Sequence, residues 1–436
     1  MPSELDGRDT ATLTLEEALL EPENIERQAE NTSVFHTVYI IVSIYAGLGI
    51  LALPYAVAEG GWFAETLLIG MCLLFYCSSV LMIRSFRLLE TRREGLTPLY
   101  ELGEILGIGR ILYTMMQLEL GGNMILCSIV CLQQLEFLMS TVISHHEFHV
   151  ALALFCIITG LLLLLPDLRS LRHISFVAVL ATLCLVLSVA ALAVGDPKKK
   201  YIPSGYGDVS YDIFNWIGVF RSVSIFSTSL SGHTALASVR KDMSSSLVHF
   251  SKSVMLSFVT MGVLYVAISS CGYYYWGDQV SPIVLSDIVY HSAFSADSQS
   301  PWPWHIVQVH VLLSALVLVS SIAKLPALVM VMLDTMSSVK NNGHHRHMSY
   351  KLIITCVALS IAVVLREKVG SVIGLVGGFC SIFVSLLLPT MAYLKLSWST
   401  STIIQKFCLI SMCFCGWIIL IVATSLNIHD LTFGLV

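Results

Sequence analysis

The segment Tyr45-Ala46-Gly47-Leu48-Gly49-Ile50-Leu51-Ala52-Leu53-Pro54 places two glycines and a proline inside an otherwise apolar run. Glycine weakens a helix interior by about 1 kcal/mol, and Pro54 has no N–H to offer the carbonyl of Ile50. In hydrocarbon, backbone groups released this way are tolerated only where they are buried in protein or line a wet cavity. A helix opened near Gly47 to Gly49 restarts at Ile50, with free amides and a positive dipole end at mid-membrane, which suits a carboxylate. The plainer reading is that the glycines let a neighbouring helix approach closely.

A second stretch, Phe220 to Thr234, contains Ser227-Thr228-Ser229-Leu230-Ser231-Gly232. Hydroxyls can re-satisfy backbone groups, so another opened helix is expected there. Four ionisable groups fall within the apolar runs: Glu119, Arg221, His233 and Lys324. An acid inside a membrane segment must face protein or water. Lys324 sits about nine residues, roughly 13 Å at helical rise, from the end of its segment at Leu333, beyond comfortable snorkelling. A buried ammonium must find a partner or lose its proton, which fits a coupling proton or a stand-in for a bound cation. A fixed structural charge is the alternative for Lys324, and a structural hydrogen-bonding role the alternative for Glu119.

These residues require membrane-length elements to hold them. With 56% hydrophobic and 12% charged residues in 436 positions, a water-soluble fold is excluded. Apolar runs of about 20 residues lie near 34–58, 62–86, 110–140, 149–166, 173–195, 213–239, 250–276, 305–333, 349–365, 370–394 and 403–426. The fold class is therefore an all-α polytopic membrane protein with eleven transmembrane helices. Residues 1–33, with nine acids against two arginines, read as a disordered acidic cytosolic tail. Residues 34–426 form the transmembrane domain, and 427–436 a short non-cytosolic tail. No apolar region of signal-peptide type precedes the first span. Outside Arg221 and Lys324, lysine and arginine concentrate on one side; only Lys198, Lys199, Lys200, Arg366 and Lys368 fall on the other. That asymmetry sets the N-terminus in the cytosol.

Five is odd, so spans 1–5 and 6–10 would insert with opposite orientation. The interrupted first and sixth spans then occupy matching positions, the best sequence pointer to a substrate site in an inverted repeat. The cysteines all fall in expected spans, so no disulfide framework is indicated. The two histidine clusters read as solvated loops. No nucleophile motif, phosphate loop or carboxylate pair suggests an enzyme, and no cofactor, metal or nucleic-acid partner is expected.

Gly47-Leu48-Gly49-Ile50-Leu51-Ala52-Leu53-Pro54-Tyr55-Ala56, followed by Glu59-Gly60-Gly61-Trp62, resembles the first-helix signature of the amino acid/auxin permease superfamily, particularly its vacuolar and vesicular amino acid transporters. Ser231-Gly232-His233, Lys324 with Pro326, and Pro389 through Tyr393-Leu394-Lys395 resemble later motifs of that family. The resemblance implies a LeuT-like fold of two inverted five-helix halves plus one helix, and proton-coupled amino acid transport. Leu230 and Ala237 depart from the family pattern, which leaves the substrate side chain open.

The combined expectation is a monomeric secondary active transporter of amino acids with alternating access, in a vacuolar or other internal membrane. The substrate carboxylate would meet the amides near Gly49 and Ile50, and its amino group the carbonyls around Tyr45, Ala46 and Ser227 to Ser229. Gly47, Leu48, Ser231 and Gly232 complete the binding set, and Lys324, with Glu119, Arg221 and His233, would carry coupling. Alternatives are sodium coupling, a non-transporting nutrient receptor on the same fold, and an ion channel, against which the lack of a charged ring argues.

Overall fold

The computed structural model describes residues 34–46, 49–90, 99–140, 142–143, 145–165, 171–195, 210–242, 247–283, 304–337 and 347–433. The acidic segment 1–33, Gly47 and Leu48 lie outside the described residues. Every regular element among the described residues is helical. They are α1 (Val34–Tyr45), α2 (Gly49–Gly60), α3 (Trp62–Glu90), α4 (Leu99–Leu106), α5 (Gly109–Ser140), α6 (Glu147–Leu162), α7 (Arg172–Gly195) and α8 (Trp216–Ser229). There follow α9 (His233–Asp242), α10 (Leu247–Trp276), α11 (Trp304–Ile322), α12 (Lys324–Ser337), α13 (His347–Leu365), α14 (Val369–Leu375), α15 (Leu388–Leu396) and α16 (Ile403–Phe433). Between α14 and α15 the chain widens into π-helical turns at Val376–Ser381 and Phe383–Leu387.

Among the described residues, seven helices are long and apolar enough to cross a membrane, or eight if α1 and α2, bent by 53°, count as one span. The sequence intervals numbered eleven, and the difference has local causes. The sixth interval is divided between α8 and α9, whose serines, threonines and charges dilute its apolar character. The fourth interval forms the 16-residue α6. The ninth and tenth merge into one helical run, Met348–Leu396, of 49 residues. At 1.5 Å per residue that run is roughly 74 Å long, more than twice the hydrocarbon thickness. The last helix continues through residues 427–433 to Phe433, and there Asn427 and Asp430 pack back on α8.

Small residues set how α2 and α8 meet. They run antiparallel: a Cβ built on Gly60 would meet Ser222, and one built on Gly49 would fall on the backbone of Ser229. Between these points Ser222 Oγ donates to the Ala56 carbonyl at 2.6 Å. Gly218 similarly lies against the carbonyl of Glu59. With so little side-chain volume the two backbones touch along their length, the usual means of holding helices together in lipid. The π-helical segment packs on the opposite flank of α8, where the Ser224 carbonyl occupies the space a Cβ on Gly377 would need. Thr228 Oγ1 donates across this seam to the Ile373 carbonyl at 2.7 Å.

Candidate functional site

At the inner ends of α1, α2, α8 and α9 a small cavity of about 30 Å³ is enclosed by Ile44, Tyr45, Gly49, Glu119, Leu120, Asn123, Thr228, Ser231, Gly232, Thr234, Ala235, Lys324 and Leu328. That is room for a water or two and too little for an amino acid without movement of the surrounding side chains. Gly49 begins α2 and His233 begins α9, and the first amides of a helix have no acceptor within it. The cavity therefore meets two helix N-termini, together with one acid and one base.

The helix C-termini on the same cavity are already capped. Lys324 Nζ donates to the Ile44 carbonyl at 2.8 Å, placing a cation at the carbonyl end of α1. Tyr265 of α10, fully buried, directs its hydroxyl at the Ser229 carbonyl (2.7 Å) and the Tyr45 carbonyl (3.1 Å). Ser231 Oγ donates to the Thr228 carbonyl at 2.8 Å. Lys324 itself opens α12, directly after the interruption at Ala323. Pro326 follows in the first turn, where a missing N–H costs least. On the other side of that interruption Cys127 Sγ donates to the Ser321 carbonyl at 3.0 Å.

Glu119, on α5, is 1% exposed. Its Oε2 accepts from Thr234 Oγ1 at 2.7 Å, and its Oε1 faces Ser385 Oγ at 3.5 Å. None of the ion pairs among the described residues involves Glu119 or Lys324. Asn123, one turn beyond Glu119 on the same helix face, also lines the cavity.

Of the residues singled out from sequence, Tyr45, Gly49, Thr228, Ser231, Gly232, Glu119 and Lys324 come together here. Gly232 has a packing role as well: the Tyr45 ring lies where its Cβ would project. Ala46, Ile50, Ser227 and Ser229 are buried beside the cavity but do not line it. The hydroxyls of Ser227 and Ser229 turn back on their own helix, to the Val223 (2.7 Å) and Ile225 (2.9 Å) carbonyls, as serines in membrane helices do. His233 also points elsewhere, its Nε2 lying 2.9 Å from Ser79 Oγ.

Arg221 stands apart from the cavity. It forms a two-pronged contact with Asp430 of α16, Nε to Oδ2 at 2.9 Å and Nη2 to Oδ1 at 3.0 Å, and reaches Glu59 at 3.3 Å. Tyr55 donates to the same Glu59 carboxylate at 2.6 Å. This cluster lies at the end of the bundle where Trp62 N–H and Phe63 N–H donate to the Asp212 and Ile213 carbonyls, both at 3.0 Å. At the opposite end Ser238 donates to Asp334 (2.8 Å) and Gln117 to Thr335 (2.7 Å).

Sequence reasoning passed over Tyr265, Asn123 and Thr234. Asn123 was detectable as the residue four positions after Glu119, hence on its face. Nothing in the apolar run around Tyr265 marks it, because its role depends on two carbonyls more than thirty residues away.

The family model described as transmembrane amino acid transporter protein matches residues 30–429. The chain belongs to this family. It is similar to amino acid transporter AVT1J of Arabidopsis thaliana, 25% identical over 439 residues and covering 95% of each chain. Amino acid transporter AVT1I of the same plant is 23% identical, with 86% of this chain and 90% of the relative covered. Members of the family are transporters and not enzymes. Among solved structures, MhsT in complex with L-phenylalanine superposes with a TM-score of 0.59 at 13% identity, covering 90% of this chain and 98% of that one. A manganese transporter of Eremococcus coleocola, bound to an aromatic bis-isothiourea compound, gives 0.54 at 14% identity over 92% and 86%. At such identity the likeness concerns the fold alone, which is that of LeuT-like transporters. The family member is thus a multi-pass membrane protein that transports amino acids.

Proposed function

We propose that the chain moves amino acids by proton-coupled secondary active transport, alternating access across eleven spans arranged as an inverted repeat of five plus five and one more helix. In this reading α1 with α2, and α8 with α9, are the two discontinuous spans, and the run Met348–Leu396 makes two crossings. The N-terminus is cytosolic and the membrane that of a vacuole or other internal compartment. The observation that carries the proposal is the cavity shared by two helix N-termini, Lys324 and Glu119. The substrate carboxylate is drawn to the amides that open α2 at Gly49 and Ile50.

Protons are favoured over sodium for a physical reason. The carbonyl end of an interrupted helix is where a transporter gathers a metal cation, and here the Lys324 ammonium already sits on the Ile44 carbonyl. A positive charge a few ångströms away repels a second cation at low dielectric. Lys324 is then the coupling group, and Glu119 the second candidate. Arg221 and His233, bonded to Asp430 with Glu59 and to Ser79, are assigned to gating and packing of the same machinery.

The test is uptake of an amino acid panel into proteoliposomes, under an imposed pH gradient and with or without sodium. Accumulation driven by the pH gradient and indifferent to sodium is expected, with Lys324→Met uncoupling it. Accumulation that follows sodium alone refutes proton coupling. Ligand binding without any flux would assign the chain to nutrient sensing.

A further inference from the structure

An amino acid presents an ammonium as well as a carboxylate, and the backbone carbonyls at the two helix interruptions are the obvious acceptors. Existing hydrogen bonds and charge at the cavity together argue otherwise. The Ile44 carbonyl accepts from Lys324, the Tyr45 and Ser229 carbonyls share the Tyr265 hydroxyl, and the Thr228 carbonyl accepts from Ser231. The Thr228 carbonyl also accepts from the Ser231 N–H at 3.3 Å and is filled, whereas those of Ile44, Tyr45 and Ser229 each retain a lone pair. An ammonium approaching Ile44, however, would come against the Lys324 ammonium, and like charges in a low-dielectric pocket repel strongly. The end of the cavity where Lys324 sits is electrostatically suited to the substrate carboxylate.

The acid lies on a different element. Glu119 lines the same cavity from α5. It has one good hydrogen bond, from Thr234, with the Ser385 hydroxyl at 3.5 Å and that of Ser381 also facing it. A carboxylate has about four acceptor positions, so Glu119 has capacity to spare. It also has no cation within ion-pair distance among the described residues. A buried carboxylate without a counter-ion is costly, and a substrate ammonium would provide one. Tyr45, Glu119 and Lys324 are the titratable groups lining the cavity, one acid matched to one base, the charge pattern of a zwitterion.

We propose that Glu119 receives the α-ammonium group of the transported amino acid, making it a specificity-determining residue that requires a free amine on the substrate. The proposal rests on the transport reading above. It places the substrate between the α2 N-terminus with Lys324 on one side and α5 on the other, with Asn123 beside the ammonium. Solutes that keep the carboxylate but lack the amine should bind weakly.

The experiment measures equilibrium binding to purified full-length protein in lipid nanodiscs, using the best-transported amino acid of the panel and its des-amino carboxylic acid. For Glu119→Gln, Kd for the amino acid should rise by 10- to 100-fold, while Kd for the des-amino acid stays level or falls, because a carboxylate ligand no longer meets a like charge. Glu119→Asp, which keeps the charge on a shorter arm, should lie between; it decides the matter if Glu119→Gln fails to fold by size-exclusion profile. Unchanged amino acid affinity in the variant overturns the proposal, and if pH-driven uptake is lost at the same time Glu119 is a proton carrier instead. Equal weakening of both ligands overturns it as well, because the effect is then not directed at the amine. If the unaltered protein binds no amino acid of the panel, the transport reading itself fails, and that outcome is separable because it appears before any substitution is made.

Discussion

Replacing Gly49 by alanine tests whether the contact between α2 and α8 sets the geometry of the site. Carbon atoms settle about 3.5–4.0 Å apart, and a Cβ on Gly49 would come more than about 1 Å nearer than that to Ser229 Cα. The obstacle is backbone, so no rotamer change relieves it; α2 must move away from α8. Overpacking of a tight core costs about 1–3 kcal/mol, and a clash with main chain belongs at the upper end. The gain from replacing glycine in a helix, at most about 1 kcal/mol, does not offset it at the first residue of α2. A cost of about 3 kcal/mol corresponds to roughly two decades in the population of the close-packed arrangement. Proteoliposome uptake by Gly49→Ala should therefore fall by at least about tenfold, with a lowered melting temperature. Gly121→Ala is the control: it is two residues from Glu119, yet nothing lies within 4 Å of the added Cβ, so uptake and stability should match the parent protein. Uptake by Gly49→Ala within twofold of the parent would refute the idea that this contact positions the site.

Tyr265→Phe removes the hydroxyl shared by the Tyr45 and Ser229 carbonyls, and should cost about 1–3 kcal/mol for buried acceptors left unpaired. Thermal unfolding followed by tryptophan fluorescence should show the loss, and a melting temperature equal to the parent's would mean water replaces the hydroxyl. For Asp430→Asn the effect on stability should be small, under about 1 kcal/mol, because the Arg221 side chain is 35% exposed and keeps Glu59. A larger change in the same unfolding assay would show that the cluster is shielded from solvent by more than its own residues.

Several parts of the site were legible before any coordinates. Gly49 and Pro54 announce a weak point in the first span because their effect on a helix is local and intrinsic. Glu119 and Lys324 stand out because charge in an apolar run is costly wherever it points. The serine-rich stretch was harder to interpret. Whether a hydroxyl faces a cavity or its own helix turns on rotamer and packing, and Ser227 and Ser229 chose the i−4 carbonyl while Ser231 faces the cavity. Arg221 carried the same intrinsic signal as Lys324, yet its partners are Asp430 and Glu59, more than a hundred residues away in each direction.

The amino-acid sequence by itself determined that this is a helical membrane protein of the amino acid transporter family, with weak points in two spans and an acid and a base buried between them. Those are consequences of composition and nearest-neighbour chemistry. Only the tertiary structure decided which of these groups share a cavity, that the freed carbonyls already accept from Lys324, Tyr265 and Ser231, and that Glu119 retains acceptor capacity. The reason is that hydrogen bonds and charge pairs act over a few ångströms, and the chain brings those partners together only when helices distant in sequence pack side by side.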